Sequence, residues 1–253
     1  MSKGKNNNSG LPLIIIGLVL VVAVGGAWWL YNRNSTPAKR TTANTSAAKT
    51  PAAVNVLGAQ PPHLLGSPNA SVTVEEFADF QCPTCGVKHP LMKELISIYG
   101  SRIKFIFRNY PLAIPAHDKA YDAAVAAEAA GLQGRFWDMQ NLLFTNQQTW
   151  SSNPEYRKIW EGYASQLGLD VEKWKSDMAG LNAKSRVDAD LQRGRALNIN
   201  STPSVFVNGM LIPFEQMTIE GMRAVIDGEL QKAQSGGAQQ GQTTSGATTE
   251  TKK

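Results

Sequence analysis

The most apolar part of the chain lies near its amino terminus. Residues 11–30 (LPLIIIGLVLVVAVGGAWWL) carry no charge over twenty positions. A helix of that length rises about 30 Å, which is the thickness of the hydrocarbon core of a bilayer. We therefore predict one transmembrane anchor at residues 11–31, preceded by a short segment at residues 1–10. A cleaved signal peptide is the alternative, but its apolar core usually has only about 7–15 residues.

Two segments have almost no large apolar residues. Residues 32–62 and residues 233–253 are rich in Ser, Thr, Ala, Gly, Asn and Gln. Such segments cannot bury enough apolar surface to offset the loss of chain entropy on folding. We predict a flexible stalk at 32–62, a disordered tail at 233–253 and a folded domain at 63–232 between them.

Alternating and helical patterns follow one another in the folded domain. Residues 72–80 and 103–108 alternate as strands do, and residues 82–99 between them have a helical pattern that stops at Gly100. Helical patterns then dominate an insertion at about 113–199, and after it come strands at 204–208 and 210–212 and a helix at 218–230. The insertion helices are expected at 117–130, 135–144, 154–167, 171–178 and 185–197. This order predicts an α/β domain that resembles a thioredoxin-like sheet with a helical insertion.

The distribution of charge argues against a nucleic-acid partner. Although the net charge is +5, residues 1–62 hold six Lys or Arg and no acid, whereas 19 Lys or Arg face 20 Asp or Glu in the rest. A nucleic-acid binder concentrates positive charge on its folded part. The charges that flank residues 11–30 are balanced, so the positive-inside rule does not decide the orientation of the anchor.

The only two cysteines are Cys82 and Cys85. This number excludes a framework of several disulfides and a closed all-cysteine zinc site. Cys82 begins a helix directly after a strand, where free backbone N–H groups favour its thiolate and lower its pKa. Cys85 lies one turn deeper and is expected to stay protonated. Such an asymmetric pair is suited to dithiol–disulfide exchange.

His89 supports a different interpretation of the cysteine pair. It lies four residues after Cys85, on the same helix face, so that a copper or zinc carrier using Cys82, Cys85 and His89 is an alternative function. We favour His89 as an ordinary surface residue followed by Pro90, and no metal.

A carboxylate and a proline complete the candidate site. Strand alternation puts Glu76 on the apolar face of residues 72–80, beneath the cysteine helix. There it could have a raised pKa and relay the proton of Cys85, unless it lies at a solvated margin or pairs with a Lys or Arg. The Thr202-Pro203 bond precedes the strand at 204–208 and would by base rate be trans.

Four motifs together resemble a known family. They are FADFQCPTC at the cysteines, FRNYPL, FWDMQNLLF at residues 136–144 and STPSVFVNG at residues 201–209. In this order they resemble the DsbA-type thiol:disulfide oxidoreductases, particularly the membrane-tethered ones, over residues 65–231.

The resemblance implies roles for the matching residues. Cys82 would be the attacking cysteine and Cys85 the resolving one, with Glu76 as the family's buried acid. Pro203 would be cis and beside the pair. Substrate would meet Thr202, Pro83 and Thr84. The Pro83-Thr84 dipeptide differs from the Pro-His of the best-known oxidising member, and this removes one contributor to thiolate stabilisation.

The resemblance also implies a function and partners. We expect an enzyme that introduces disulfides into exported cysteine-containing proteins and is reoxidised by a quinone-linked membrane partner of DsbB or vitamin K epoxide reductase type. Apart from the Cys82–Cys85 disulfide it would need no cofactor. It would be a single-pass membrane protein and a monomer, with its catalytic domain outside the cytoplasm. A reductase or isomerase on the same fold is the alternative.

Overall fold

The computed structural model describes Trp29 and residues 56–242. The predicted anchor at 11–31 therefore lies outside the described residues except for Trp29, as do residues 1–10, residues 32–55 of the stalk and residues 243–253 of the tail. In the part that is described, no helix has both the length and the apolar composition needed to cross a membrane.

A five-stranded mixed sheet forms the centre of the domain. Its strand order is β1-β3-β2-β4-β5. The central strand β2 pairs in parallel with β3 and antiparallel with β4, while β1 and β5 form the two antiparallel edges. The strands are β1 (His63–Gly66), β2 (Val72–Ala78), β3 (Ile103–Asn109), β4 (Ser204–Val207) and β5 (Met210–Leu211).

Helices cover the sheet and form the insertion between β3 and β4. Helix α1 (Pro83–Tyr99) connects β2 to β3, and the last helix, α8 (Ile219–Gln242), follows β5. The insertion helices are α2 (Ala120–Gly131), α3 (Phe136–Thr145), α4 (Gln147–Trp150), α5 (Tyr156–Gln166), α6 (Val171–Ala179) and α7 (Leu181–Ala196). Short 3-10 helices occupy Gly100–Arg102, Pro115–His117 and Phe214–Gln216.

Most predicted elements are confirmed within a few residues. Helix α1 stops where Gly100 takes a positive φ of 51°, a conformation that glycine adopts readily. Of the strands and α-helices in the described residues, two are missing from the sequence analysis, namely β1 and the four-residue helix α4. Both are too short to show a period. The first predicted strand also ends at Ala78, two residues earlier than expected.

The packed domain begins before residue 63, which corrects the predicted stalk boundary. Ala59 is buried, and its backbone N–H donates to Asp190 at 2.8 Å. Arg186 of α7 donates to the carbonyls of Gln60 and Pro61. Residues 56–62 have the composition of a linker. They are bound to the domain mainly by hydrogen bonds of their backbone groups, and composition does not reveal such contacts.

The end of the domain also differs from expectation. The helix predicted for residues 218–230 continues to Gln242, so it runs into the segment assigned to the tail at 233–253. Ala, Gln and Lys, which favour helix, make up eight of the twelve added residues, whereas three are glycines, which disfavour it.

The two faces of β2 contact different parts of the protein. On one face Val72, Val74 and Ala78 belong to the main core, together with residues of α1 and α8. On the other face Phe77 packs edge-on against Tyr110 and Phe206. Because side chains alternate along a strand, this arrangement decides the surroundings of Glu75 and Glu76.

Candidate active site

The cysteine pair lies where β2 passes into α1. Cys82 is the N-cap of the helix with extended backbone angles, φ −70° and ψ 118°, and Pro83 is its first helical residue. Proline suits this position because its missing N–H would be unpaired there in any case. The predicted placement of Cys82 at the start of the helix is confirmed.

The two sulfurs differ in burial and acidity. Both cysteines are free thiols, Cys82 at 7% exposure and Cys85 at 1%. The pKa of Cys82 is lowered to about 5, chiefly because the Cys85 thiol donates a hydrogen bond to its sulfur. Burial opposes this shift, and the backbone N–H groups of Cys85 and Thr84 add to it. Burial, followed by the neighbouring Cys82, raises the pKa of Cys85 well above its usual value.

Thr202 and Pro203 reach the cysteines from the loop before β4. The Thr202–Pro203 peptide is cis, as the resemblance implies. The Thr202 carbonyl lies 3.4 Å from the Cys82 sulfur. The hydroxyl of Thr202 is buried and forms no hydrogen bond with any residue of the range 56–242. The Thr202 side chain nevertheless contributes to lowering the pKa of both cysteines.

Glu76 is buried beneath the site. It is 3% exposed and makes no ion pair with any residue of the described chain. Burial raises its pKa to about 8. The alternatives of a solvated margin or a basic partner therefore do not hold for Glu76. A basic partner is found instead at the neighbouring Glu75, which is also buried and accepts hydrogen bonds from Arg108 and Arg193.

Pro83 and Thr84 are accessible at the start of α1. Pro83 is exposed and Thr84 half-buried, while Val87 one turn later is 75% exposed. A substrate chain could reach this surface, and the assignment of Pro83 and Thr84 to substrate binding stays a prediction.

His89 is not the surface residue that the sequence suggested. It is buried, stacks on Phe144 and shares a hydrogen bond between its Nε2 and Asn141 Oδ1 at 3.1 Å. Burial lowers the pKa of its ring. Residue i+4 from a buried cysteine shares the core face of the helix, which explains the burial. Within residues 56–242, no three His, Cys, Asp or Glu side chains are grouped to hold a metal ion.

Four polar residues around the junction were not singled out from the sequence. Asp79, just past β2, accepts hydrogen bonds from the backbone of Gln81 and Leu112 and contacts His117 Nδ1 at 2.7 Å. Gln147 of α4 donates to the backbone on either side of Gln81. Asp79 and Gln81 could have been noticed within FADFQCPTC, but nothing near His117 or Gln147 signals their contacts.

A comparison with protein families identifies the family of this domain. A family model described as thioredoxin matches residues 59–228, which is about two thirds of the chain. The chain belongs to the thioredoxin family. The match also begins ahead of residue 63, in agreement with the packing of residues 56–62.

The curated relatives are much longer proteins. The Na(+)/H(+) antiporter NhaA 1 of Mycolicibacterium gilvum is 38% identical over 149 residues, which cover 58% of this chain and 23% of that protein. The chain thus spans about a quarter of the length of the curated relatives it matches. The similarity extends to that part only.

Solved structures share the fold. BdbD from Bacillus subtilis, in its oxidised form, superposes with a TM-score of 0.60 at 24% identity, covering 70% of this chain and 98% of BdbD. Alpha-DsbA1 from Wolbachia pipientis superposes with a TM-score of 0.57 at 20% identity, covering 70% and 95%. At these identities the superpositions show a common thioredoxin-like α/β architecture.

Proposed function

We propose that this protein is a thiol:disulfide oxidoreductase that transfers its Cys82–Cys85 disulfide to exported proteins. The observation that carries the proposal is that the pKa values of the two cysteines are shifted in opposite directions. The pKa of Cys82 is lowered to about 5, and that of Cys85 is raised well above its usual value. Cys82 can therefore exist as a stable thiolate, while Cys85 retains its proton.

The exchange has two steps. A substrate thiolate attacks Cys82 of the enzyme disulfide, the Cys82–Cys85 bond breaks, and Cys85 leaves with the electron pair and takes up a proton. A second substrate thiolate then attacks the substrate sulfur of the mixed disulfide, and Cys82 leaves as a thiolate. Two substrate thiols lose two electrons in total, and the enzyme disulfide becomes a dithiol.

Glu76 has the properties needed to assist the proton transfer. Its pKa of about 8 lies near neutral pH, where a carboxyl can both give and accept a proton. It lies on the face of β2 whose apolar neighbours pack in the same core as Cys85. We assign Glu76 to the protonation of Cys85 as it leaves, and to its deprotonation in the reverse direction.

The acidity of Cys82 favours oxidation of substrates. Attacking cysteines have pKa values of about 7 in thioredoxin, a reductant, and about 3.5 in DsbA, a strong oxidant. Cys82 at about 5 falls between them. A stabilised thiolate stabilises the reduced enzyme and so makes its disulfide more oxidising. We infer an oxidase of intermediate strength, consistent with the absence of a histidine in Pro83-Thr84.

We propose the location from the amino-terminal sequence and the thiol chemistry, and the partners from the resemblance to DsbA-type enzymes. The uncharged run at residues 11–30 supports a membrane anchor with the catalytic domain on the extracytoplasmic side, where disulfides persist. The reduced enzyme would then be reoxidised by a quinone-linked membrane protein of DsbB or vitamin K epoxide reductase type. Its substrates would be exported proteins with cysteines.

One equilibrium measurement separates the candidate functions. The ratio of reduced to oxidised protein is measured against glutathione buffers by alkylation and mass analysis. We expect a potential between about −250 and −120 mV, whereas a value far below about −250 mV would indicate a reductase. Metal bound to protein purified without added metal would instead favour the carrier that uses Cys82, Cys85 and His89. Cys82→Ser is the control that abolishes the couple.

A further inference from the structure

One side chain of the insertion is hydrogen-bonded to two backbone carbonyls in the turn between β2 and α1, where the cysteine pair lies. The Nε2 amide group of Gln147 donates to the carbonyl of Phe80 at 2.7 Å and to the carbonyl of Cys82 at 2.8 Å. Gln147 is 9% exposed and is the first residue of α4. The two N–H bonds of one amide group therefore bracket Gln81, in the turn between β2 and α1.

The Cys82 carbonyl that accepts the hydrogen bond of Gln147 is also part of the backbone of helix α1. The same oxygen accepts the hydrogen bond of Gly86 N–H at 3.2 Å, which is the first backbone bond of helix α1. The orientation of this peptide decides how the N–H groups of Thr84 and Cys85 face the Cys82 sulfur. Those N–H groups contribute to lowering the pKa of Cys82.

Helix α1 is shaped to admit Gln147. A Cβ atom at Gly86 would lie 2.8 Å from Gln147 Oε1, closer than two such atoms can approach. Glycine in the interior of a helix costs up to about 1 kcal/mol relative to alanine. At Gly86 it leaves room for the amide of Gln147, which a larger residue would displace from its present position.

Gln81, in the turn between β2 and α1, is also hydrogen-bonded to the insertion. The Nε2 of Gln81 donates to Asp118 Oδ1 and to the carbonyl of Ser151, both at 3.0 Å, and its Oε1 accepts from Lys119 N–H at 2.7 Å. Gln81 thus reaches from the turn between β2 and α1 to the insertion, and Gln147 reaches from the insertion to that turn. On the insertion side, α4 is anchored by the buried Trp150, whose Nε1 donates to the carbonyl of Leu143.

From this geometry we propose that Gln147 is a positioning residue that holds the Cys82 peptide in the orientation required for a reactive thiolate. The inference rests on the proposed function in one respect, that Cys82 is the exchanging sulfur. Gln147 does not contact that sulfur in the structure and acts on it through the backbone. The helical insertion is then part of the catalytic apparatus, in addition to any role as a cover.

The test compares Gln147→Leu with the matched control Gln148→Leu. Gln148 is the adjacent residue and is exposed, and its side chain forms no hydrogen bond to any other described residue. In the reduced full chain, in mild detergent, the rate of iodoacetamide alkylation is measured against pH. Cys85 is buried and protonated, so the profile reports Cys82.

We expect Gln147→Leu to shift the midpoint of the profile upward by about one pH unit, which is about tenfold less thiolate at low pH. The glutathione equilibrium should become about tenfold less oxidising, and Gln148→Leu should match the wild type in both. Gln147→Met, a second neutral variant of similar length that lacks both N–H donors, should shift the midpoint in the same direction.

A midpoint unchanged in both Gln147 variants, with only the melting temperature lowered, would assign Gln147 a merely structural role and overturn the inference. If Gln147→Leu does not fold, as judged by near-ultraviolet circular dichroism, the Gln147→Met profile decides. A wild-type midpoint above about 8 is a different failure, because it would remove the proposed oxidase function whatever Gln147 does.

Discussion

Replacing Glu76 by Gln should change how the stability of the domain depends on pH. Glu76 is fully buried without an ion pair to any described residue, and its pKa is raised from 4.5 to about 8 by burial. Between those two values the folded protein holds a proton that the unfolded chain has released. Stability must therefore fall as pH rises from about 4.5 through about 8. Glutamine keeps the shape of the side chain and removes this titration.

The size of the effect follows from the difference between the two pKa values. Each unit corresponds to about 1.4 kcal/mol. At pH 7 the unfolded chain is ionised and the folded chain is still mostly protonated at Glu76, which costs about 3 kcal/mol relative to low pH. Above pH 9 the cost approaches about 5 kcal/mol. From pH 5 to pH 9, wild type should lose about 4 kcal/mol relative to Glu76→Gln.

Urea unfolding of both proteins at pH 5, 7 and 9, followed by tryptophan fluorescence, measures this difference. The oxidised form is used because neither Cys82 nor Cys85 then titrates. Other groups titrate equally in the two proteins and cancel when the two free energies of unfolding are subtracted. The buried amide that Glu76→Gln introduces adds a constant offset that does not depend on pH. A difference that stays constant from pH 5 to pH 9 would refute the assignment of a raised pKa to Glu76.

Three further outcomes are expected. Cys85→Ser should accumulate mixed disulfides with substrate proteins, visible on non-reducing gels, whereas Cys82→Ser should form none; oxidase activity that survives in Cys82→Ser would reverse the assigned roles. Thr202→Val should raise the pKa of Cys82, because the side chain of Thr202 contributes to lowering it, and an unchanged thiolate absorbance profile would contradict this. Asp190→Ala should destabilise the domain by about 3 kcal/mol, because the buried charge of Arg108 loses a partner, and should expose residues 56–62 to proteolysis; unaltered urea unfolding would contradict this.

The sequence alone was sufficient to predict the parts of the site that depend on local pattern. Alternation placed Glu76 on the apolar face of β2, and a strand followed by Cys82-Pro83 predicted a sulfur at a helix start. These predictions depend on contacts between residues close in the chain. The edge strand β1 could not be predicted in this way, because its four residues begin with a histidine and end with a glycine.

The side-chain contacts around the turn between β2 and α1 join residues that are far apart in the sequence. Gln147 reaches Cys82 across 65 positions, and His117 reaches Asp79 across 38. A glutamine in a helix is usually a surface residue, and only the docking of the insertion onto the start of α1 makes Gln147 a buried donor. The same reasoning applies to residues 56–62, whose contacts with α7 are made largely by backbone groups.

Two adjacent glutamates in β2 differ because of the side of the sheet on which each lies. Burial alone would raise the pKa of Glu75, but hydrogen bonds from Arg193 and Arg108 outweigh it, so the pKa is lowered and the carboxylate stays ionised. No arginine reaches Glu76 in the described chain, and burial alone decides its state. An arginine beside Glu76 would stabilise the ionised form and end proton exchange near neutral pH. Strand alternation thus separates a structural carboxylate from one able to exchange a proton, and the latter lies on the face whose core includes Cys85.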